Sequence, residues 1–266
     1  MKILLINLDR SAERLAYVDA QLRLLGVAYE RVAAVDGSAL PPRVRGQVAA
    51  HLTPGEIGCL LSHQAAWQKV ATGPDQFAII LEDDVMLSAG FAALASDESW
   101  IPSDAGLVKL ETTLRPVMVD RVPTSVHDGI AVVRLLSDHY GSASYVVSKA
   151  AAAKLLLAVR QQVDLMLFDP RQCRRHGRVV YQVVPAVSIQ NGSDPALASI
   201  IRPERRHARR HARGALRALF TKARSSARKR AHVLLLSSAL LRNTVVRKRI
   251  PFARALPLLR SAARGP

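Results

Sequence analysis

Apolar residues occur along this chain in short runs closed by polar or turn-forming residues. Lys2 to Leu8, with Ile3-Leu4-Leu5-Ile6 at its centre, reads as a buried β-strand. Ser11 then stands as N-cap of a helical stretch to about Leu25, and Gly26 marks its stop. Val27 to Val35 reads as a second strand that ends at the turn pair Asp36-Gly37, which completes a β-α-β opening. Thr53-Pro54-Gly55-Glu56 has the capping-box arrangement: Thr as N-cap, Pro at the first helical position and Glu three residues after the cap. A helix from Pro54 to about Ala71 is expected. Phe77-Ala78-Ile79-Ile80-Leu81 is wholly apolar, as a central strand covered on both faces must be, and it runs straight into Glu82-Asp83-Asp84. Leu107 to Glu111, Ile130 to Leu135, Ser144 to Val147 and Val179 to Val184 are further strands, with a helix capped by Ser148 and running to about Val159. The pattern predicts an α/β fold built on an open sheet flanked by helices.

Charge divides the chain in two. Of its 38 Lys and Arg residues, 19 lie in residues 201–266, where Glu204 is the single acid. That segment has a formal charge of +18, and residues 1–200 sum to about −1. The sequence therefore predicts a near-neutral domain over 1–200 and a basic tail over 201–266. A pI near 10.9 spread over a whole surface would suggest a nucleic-acid binder. Here the charge is an appendage. The N-terminal apolar run of five or six residues is too short for an export signal, and two cysteines, Cys59 and Cys173, are too few for a disulfide framework, so a cytoplasmic protein with reduced thiols is expected. No segment reaches the roughly 17 to 25 apolar residues that span a bilayer.

Three acids directly after a buried strand carry the most chemistry. In extended backbone Glu82 and Asp84 share a face and Asp83 points away. Two carboxylates on one side repel unless one is protonated or a cation lies between them, and a hard divalent ion such as Mn²⁺ or Mg²⁺ satisfies oxygen ligands of this kind. Carboxyl ends of strands are also where open α/β sheets bind ligands. The plain alternative is a solvated acidic turn.

The whole sequence resembles glycosyltransferase family 25, the lipopolysaccharide and lipooligosaccharide core glycosyltransferases, to which collagen galactosyltransferases are distantly related. The resemblance lies in Ile6-Asn7-Leu8-Asp9-Arg10-Ser11 with Glu13-Arg14, Val35-Asp36-Gly37, Leu52-Thr53-Pro54-Gly55-Glu56-Ile57-Gly58-Cys59 with Leu61-Ser62-His63 and Trp67, Ile80-Leu81-Glu82-Asp83-Asp84-Val85, Gly141 to Ser148, and Val163-Asp164. It implies a GT-A type, nucleotide-sugar-binding mixed sheet in which an acidic motif holds a divalent metal against the donor diphosphate. On that pattern Asp84 is the direct metal ligand, and Glu82 lies toward the ribose or reaches the metal through water. The implied reaction is inverting transfer of a hexose, galactose from UDP-galactose first, onto a saccharide or lipid-linked saccharide acceptor.

Asn7, Arg10 and Arg14, at the end of the first strand and in the following helical turn, are placed to grip a base, ribose or phosphate. Arg14 could equally pair with surface acids near Arg10. Asp36 is a ribose or base partner, or simply the first residue of an Asp-Gly turn. Glu56 and His63 fall on one face of the helix from Pro54 with Trp67. Glu56 is already explained by its capping box, and His63 could be a satisfied core histidine. Cys59 reads as packing. Asp83 joins the substrate-binding set, as do Gly141 and Ser142 in a small-residue loop suited to close approach of a sugar. Glu111, Asp138 and Asp164 are the candidates for general base, Asp164 first because it matches the Val-Asp element of the resemblance; it could instead cap a helix. Gln190, after the last strand, could complete a metal or diphosphate shell. No Gly-rich phosphate loop and no Cys/His zinc pattern is present.

In the tail, Ala208, Ala212, Ala215, Leu216, Leu219, Phe220 and Ala223 recur at three- and four-residue steps against a dense arginine face, the pattern of a helix lying on an anionic membrane. Val233 to Leu241 could dip into such a surface, and Arg247-Lys248-Arg249 renews the charge. A peripheral enzyme on the cytoplasmic face of the inner membrane is the expectation. A solvated basic extension, or a basic nucleic-acid or membrane-surface binding protein without transferase activity, is the alternative. Against nucleic acid, the tail has one aromatic in each half, Phe220 and Phe252, and no nucleic-acid-binding fold is recognised.

Overall fold

The computed structural model describes residues 1–49, 51–191, 243–254 and 256. Among the described residues, thirteen strands and seven helices follow one another as β1 (Lys2–Asn7), α1 (Ala12–Leu24), β2 (Glu30–Ala33), α2 (Pro42–Ala49), α3 (Pro54–Thr72), β3 (Phe77–Glu82), β4 (Val85–Leu87), α4 (Gly90–Ser96), β5 (Ala105–Lys109), β6 (Glu111–Thr112), β7 (Pro116–Asp120), β8 (Ser125–His127), β9 (Ile130–Arg134), β10 (Ser144–Ser148), α5 (Lys149–Leu156), α6 (Val163–Phe168), α7 (Pro170–Arg175), β11 (Val179–Val184), β12 (Ser188–Gln190) and β13 (Val245–Arg249). Eight strands form one mixed sheet in the order β2-β1-β3-β10-β5-β11-β9-β8; β4-β12-β6 and β13-β7 form two smaller ones. The expected α/β class, a mixed sheet flanked by helices, is the architecture observed.

Side-chain alternation builds two core layers. Leu4, Ile6, Ala78 and Ile80 pack with Leu60, Trp67, Tyr145 and Phe168 on the face covered by α3, α5 and α6. Ile3, Leu5, Ile79 and Leu81 pack with Val18, Leu22, Phe91 and Trp100 on the face covered by α1 and α4. Strand direction then decides where the chemistry gathers. β2 and β3 run parallel to β1, so Asn7, the segment after Ala33 and Glu82 leave the sheet at one edge. β10 is antiparallel to both β3 and β5, so it enters at that same edge, and residues 141–143 precede it there. Lys109 closes β5 alongside, opposite Tyr145.

Leu107 to Glu111 is not one strand. The chain changes sheets at Leu110: its N–H donates to Ser144 O, its carbonyl accepts from Val187 and Ser188, and Glu111 opens β6 against Ser188. The helices at both ends of the sheet opening differ too. Thr53 and Glu56 form the complete capping box of α3, whereas Ser11 makes no side-chain cap bond to α1. Residues 243–254, placed by the boundary at 200 in the tail, return to the body. β13 pairs antiparallel with β7, Val245 and Ile250 are buried, and Ala186 donates its N–H to Pro251 O and accepts from Ala253 N. The body therefore does not end at residue 200. The amphipathic stretch to Ala223 and the apolar stretch Val233 to Leu241 lie outside the described residues, and no described helix is long and apolar enough to cross a membrane.

Candidate active site

A cleft of about 730 Å³, solvent at its mouth included, opens at this sheet edge. Its wall is shaped by two close backbone approaches. A Cβ on Gly37 would lie 1.7 Å from Pro54 O, and one on Gly58 would lie 2.5 Å from Val35 O, so the loop after β2 can touch the start of α3 only through glycines. Ser62 Oγ locks the same approach, accepting from Val35 N at 2.8 Å and donating to Gly58 O at 2.6 Å.

Glu82, Asp83 and Asp84 all line the cleft, together with Asn7, Arg10, Arg14, Asp36 and His63. The expected alternation stops with the strand at Glu82; Asp83 and Asp84 form a turn and converge on one guanidinium instead of facing apart. Arg14 Nη2 lies 2.8 Å from Asp83 and 3.2 Å from Asp84. Asn7 donates to Asp83 Oδ2 at 2.7 Å, and its own carbonyl oxygen accepts from Arg31 Nε at 3.0 Å, which settles the orientation of the amide. Gln190 donates to both Asp84 oxygens at 3.2 and 3.4 Å.

Glu82 is held separately. Its Oε1 accepts from Ser142 Oγ at 2.6 Å and faces His63 Nε2 at 3.1 Å. Trp67 Nε1 donates to Tyr145 Oη at 2.7 Å, and Tyr145 Oη stands 2.8 Å from His63 Nδ1. Trp67 can only donate, so Tyr145 Oη accepts from it, and the His63 ring bridges Tyr145 and Glu82, the donor and acceptor roles of its two nitrogens following its tautomer. His63 is thus both core residue and cleft residue.

Electrostatics separate the three acids. Burial works against ionised Glu82, but the bonds and charge of His63, helped by Ser142, outweigh it and hold the carboxyl below its usual range. Burial raises Asp83, against Arg14 and Asn7. Burial, then the charge of Glu82, pushes Asp84 up to about 8 despite Arg14. Asp83 and Asp84 share the Arg14 guanidinium, and burial beside Glu82 leaves Asp84 holding a proton near neutral pH. This all-oxygen donor set fits a hard divalent cation, which would displace that proton.

Beneath the cleft, Lys109 and Glu111 form a fully buried ion pair at 2.9 Å. Burial lowers Lys109 and raises Glu111, each countered by the other. Lys109 Nζ also donates to Gly141 O at 2.8 Å and stands 4.2 Å from the centre of the Phe168 ring. Glu111 Oε1 accepts from Ala143 N at 2.9 Å. Gly141 has φ of +109°, and a Cβ there would lie 2.8 Å from Glu111 Oε1. The pair therefore clamps the loop that carries Ser142.

Of the remaining candidates, Arg10 and Asp36 form an ion pair at the cleft rim, where Asp36 also takes the Ser38 N–H. Glu56 lies outside the cleft lining: it accepts from Thr53 N at 2.9 Å and from Gln162. None of the three general-base candidates lines the cleft. Glu111 is spent on Lys109, Asp138 hydrogen-bonds Tyr140 and raises its hydroxyl with burial, and Asp164 sits in the first turn of α6, accepting from Leu165 N. Lys109, Arg31, Tyr145 and Ser62 were not among the predicted residues. Lys109 had a legible signal, as a cation inside an otherwise apolar strand; Arg31 and Ser62 become evident only once β1, β2 and α3 are neighbours.

The sequence profile of glycosyltransferase family 25 (LPS biosynthesis protein) matches residues 1–169. The chain is 28% identical over 231 residues to the lacto-N-neotetraose biosynthesis glycosyltransferase LgtB of Neisseria gonorrhoeae, covering 76% of this chain and 81% of that one. It is 29% identical over 173 residues to the lipooligosaccharide biosynthesis protein lex-1 of Haemophilus influenzae, covering 58% and 56%. Among solved structures, a complex of the galactosyltransferase LgtC with donor and acceptor sugar analogues aligns with a TM-score of 0.41 at 11% identity, over 73% of this chain and 88% of that one. The profile match takes in the β1 end, the two glycine contacts, the capped α3, the acidic turn and the clamped loop before β10, and by it this chain belongs to glycosyltransferase family 25.

Proposed function

We propose that the cleft binds a nucleotide-sugar donor, UDP-galactose first, and that the chain transfers the hexose with inversion onto a saccharide of a lipopolysaccharide or lipooligosaccharide. The observation that carries this reading is the acidic turn. Glu82, Asp83 and Asp84 share a solvent-open cleft, Asp83 and Asp84 share the Arg14 guanidinium, and burial beside Glu82 raises Asp84 to about 8, so that a cation there would replace a proton. Relatives named for lacto-N-neotetraose and lipooligosaccharide biosynthesis support the acceptor class.

Asp84 and Glu82 would hold a divalent cation, Mn²⁺ or Mg²⁺, which supplies charge stabilisation for the departing diphosphate. Arg14, presented by α1 and steadied by both aspartates, adds a fixed positive charge beside it. Arg10 and Asp36 at the rim are placed for ribose and base, and Ser142 keeps Glu82 in one orientation while its loop borders the sugar. Asp164 is the proposed base: it takes the proton of the acceptor hydroxyl as that oxygen bonds the anomeric carbon and the carbon–phosphate oxygen bond breaks. Its carboxylate lies outside the cleft lining and acts electrostatically on Lys109, which holds Gly141. The basic residues of the C-terminal segment are proposed to hold the enzyme on an anionic membrane surface where a lipid-linked acceptor lies.

The test is incubation of the full chain with Mn²⁺, a panel of nucleotide sugars and a lipooligosaccharide acceptor. One donor is expected to be consumed with transfer, and Asp84→Ala is expected to lower the rate by about 10²-fold or more. Absence of transfer and hydrolysis with every donor, or an Asp84→Ala rate equal to wild type, contradicts the reading.

A further inference from the structure

We propose that Cys59, His63 and Glu82 form a second metal site, for a borderline-soft divalent ion such as Zn²⁺, in the wall of the cleft. The thiol sulfur, a ring nitrogen and a carboxylate oxygen lie within 4.8 Å of one another. Cys59 and His63 are one turn apart on α3 and so share a face, and Glu82 is brought to them by the end of β3. His63 Nε2 is already 3.1 Å from Glu82 Oε1. A tetrahedral zinc ion with bonds of about 2.0–2.3 Å separates its donors by about 3.3–3.7 Å, so the cluster needs only small adjustments of its side chains.

The outer contacts are those of a built site. A metal-bound histidine has its other ring nitrogen fixed by a hydrogen bond, and here Tyr145 Oη, itself held by Trp67 Nε1, stands 2.8 Å from Nδ1. Ser142 orients the carboxylate. With the ion bound, His63 Nε2 gives its lone pair to the metal and Nδ1 carries the ring proton, donated to Tyr145 Oη, whose two lone pairs accept from both Trp67 and His63. Cys59 releases its thiol proton to solvent and bonds as thiolate. Sulfur and imidazole distinguish this set from the oxygens of Asp83 and Asp84, which suit hard ions. The pattern is not evident in the sequence because the carboxylate arrives from a different element. Glu82 is common to both sets, so, resting on the reading of the cleft as a donor site, Zn²⁺ here withdraws Glu82 from that site and inhibits transfer.

Titration of the full chain with Co²⁺ alone, followed by absorption, tests the site without any reference to activity. A near-ultraviolet thiolate-to-cobalt band is expected, retained in Cys173→Ser, lost in Cys59→Ser, and reversed by equimolar Zn²⁺. His63→Gln, with folding checked by thermal melting, should weaken the apparent affinity at least tenfold. Absence of the band in wild type, or its persistence in Cys59→Ser, overturns the proposal. Inhibition is read separately: Cys59→Ser should need at least tenfold more Zn²⁺ for half-inhibition relative to its own zinc-free rate, and an unchanged value would refute the inhibitory role.

Discussion

Ser142 illustrates how single residues prepare the cleft. Its hydroxyl donates to Glu82 at 2.6 Å, and the backbone on either side is pinned from below, Gly141 O by Lys109 and Ala143 N by Glu111. Removing the hydroxyl leaves the clamp intact but frees Glu82 to reorient, at a cost of about 0.5–1.5 kcal/mol for the lost bond. Ser142→Ala is therefore expected to reduce kcat/KM by roughly 2- to 12-fold with an unshifted melting temperature. A melting temperature that falls while kcat/KM stays constant would make Ser142 a structural residue only. Glu82, Asp84, Asn7 and Arg14 were legible from sequence because strand ends and first helical turns are predictable. The partners that position them were less so: Lys109, Tyr145 and Arg31 act across elements distant in sequence, and a one-dimensional pattern does not pair strands. The same limit explains the misplaced face of Asp83, since alternation holds only while the backbone stays extended.

Among the elements, the switch from β5 to β6 at Leu110 joins the large sheet to the small one, and His139 secures it. Its Nε2 accepts from Thr113 N at 3.1 Å, so the proton sits on Nδ1 and is donated to Gln182 Oε1 at 2.8 Å; Gln182 in turn donates to Lys109 O and Glu111 O. Burial, then the charge of Lys109, lowers His139 from 6.5 to about 3. A base whose folded pKa is depressed contributes stability above its unfolded pKa and loses it as pH falls toward the folded value. The His139 contribution is thus complete above about pH 6.5 and gone near pH 3. The melting temperature of wild type should fall across this window, and in His139→Gln, which is less stable at pH 7, it should fall less steeply. Equal slopes for the two proteins would contradict this account. Long elements with local signals, such as the capped α3 and the apolar β3, were readable in the sequence. β4, β6 and β12, at two or three residues each, were not: so short a strand has no periodicity and exists only through its neighbours.

For the whole molecule, the division into neutral body and basic tail holds as a statement about charge, but the chain comes back to the body at its far end. β13 was hidden in sequence because Arg247-Lys248-Arg249 reads as more tail, and its partner β7 lies more than a hundred residues earlier. All three cations are exposed on the β13–β7 ribbon. Cutting the chain near Gly192 would strip this strand from the buried Val117 and Val119, so membrane association is better probed by substitution. Replacing Arg247, Lys248 and Arg249 by serine should weaken binding to anionic vesicles by about 1 kcal/mol per cation, and affect binding to neutral vesicles little. Equal sedimentation of the two proteins with anionic vesicles at physiological salt would remove these residues from a membrane surface.

The most direct measurement of the central claim is calorimetric titration of the full chain with UDP, with and without Mn²⁺, in wild type and in Asp84→Asn. Binding is expected to require Mn²⁺ in wild type and to be lost in the variant, because the acidic turn cannot accept a diphosphate without a cation between them. Binding of equal strength without Mn²⁺, or undiminished in Asp84→Asn, would contradict it.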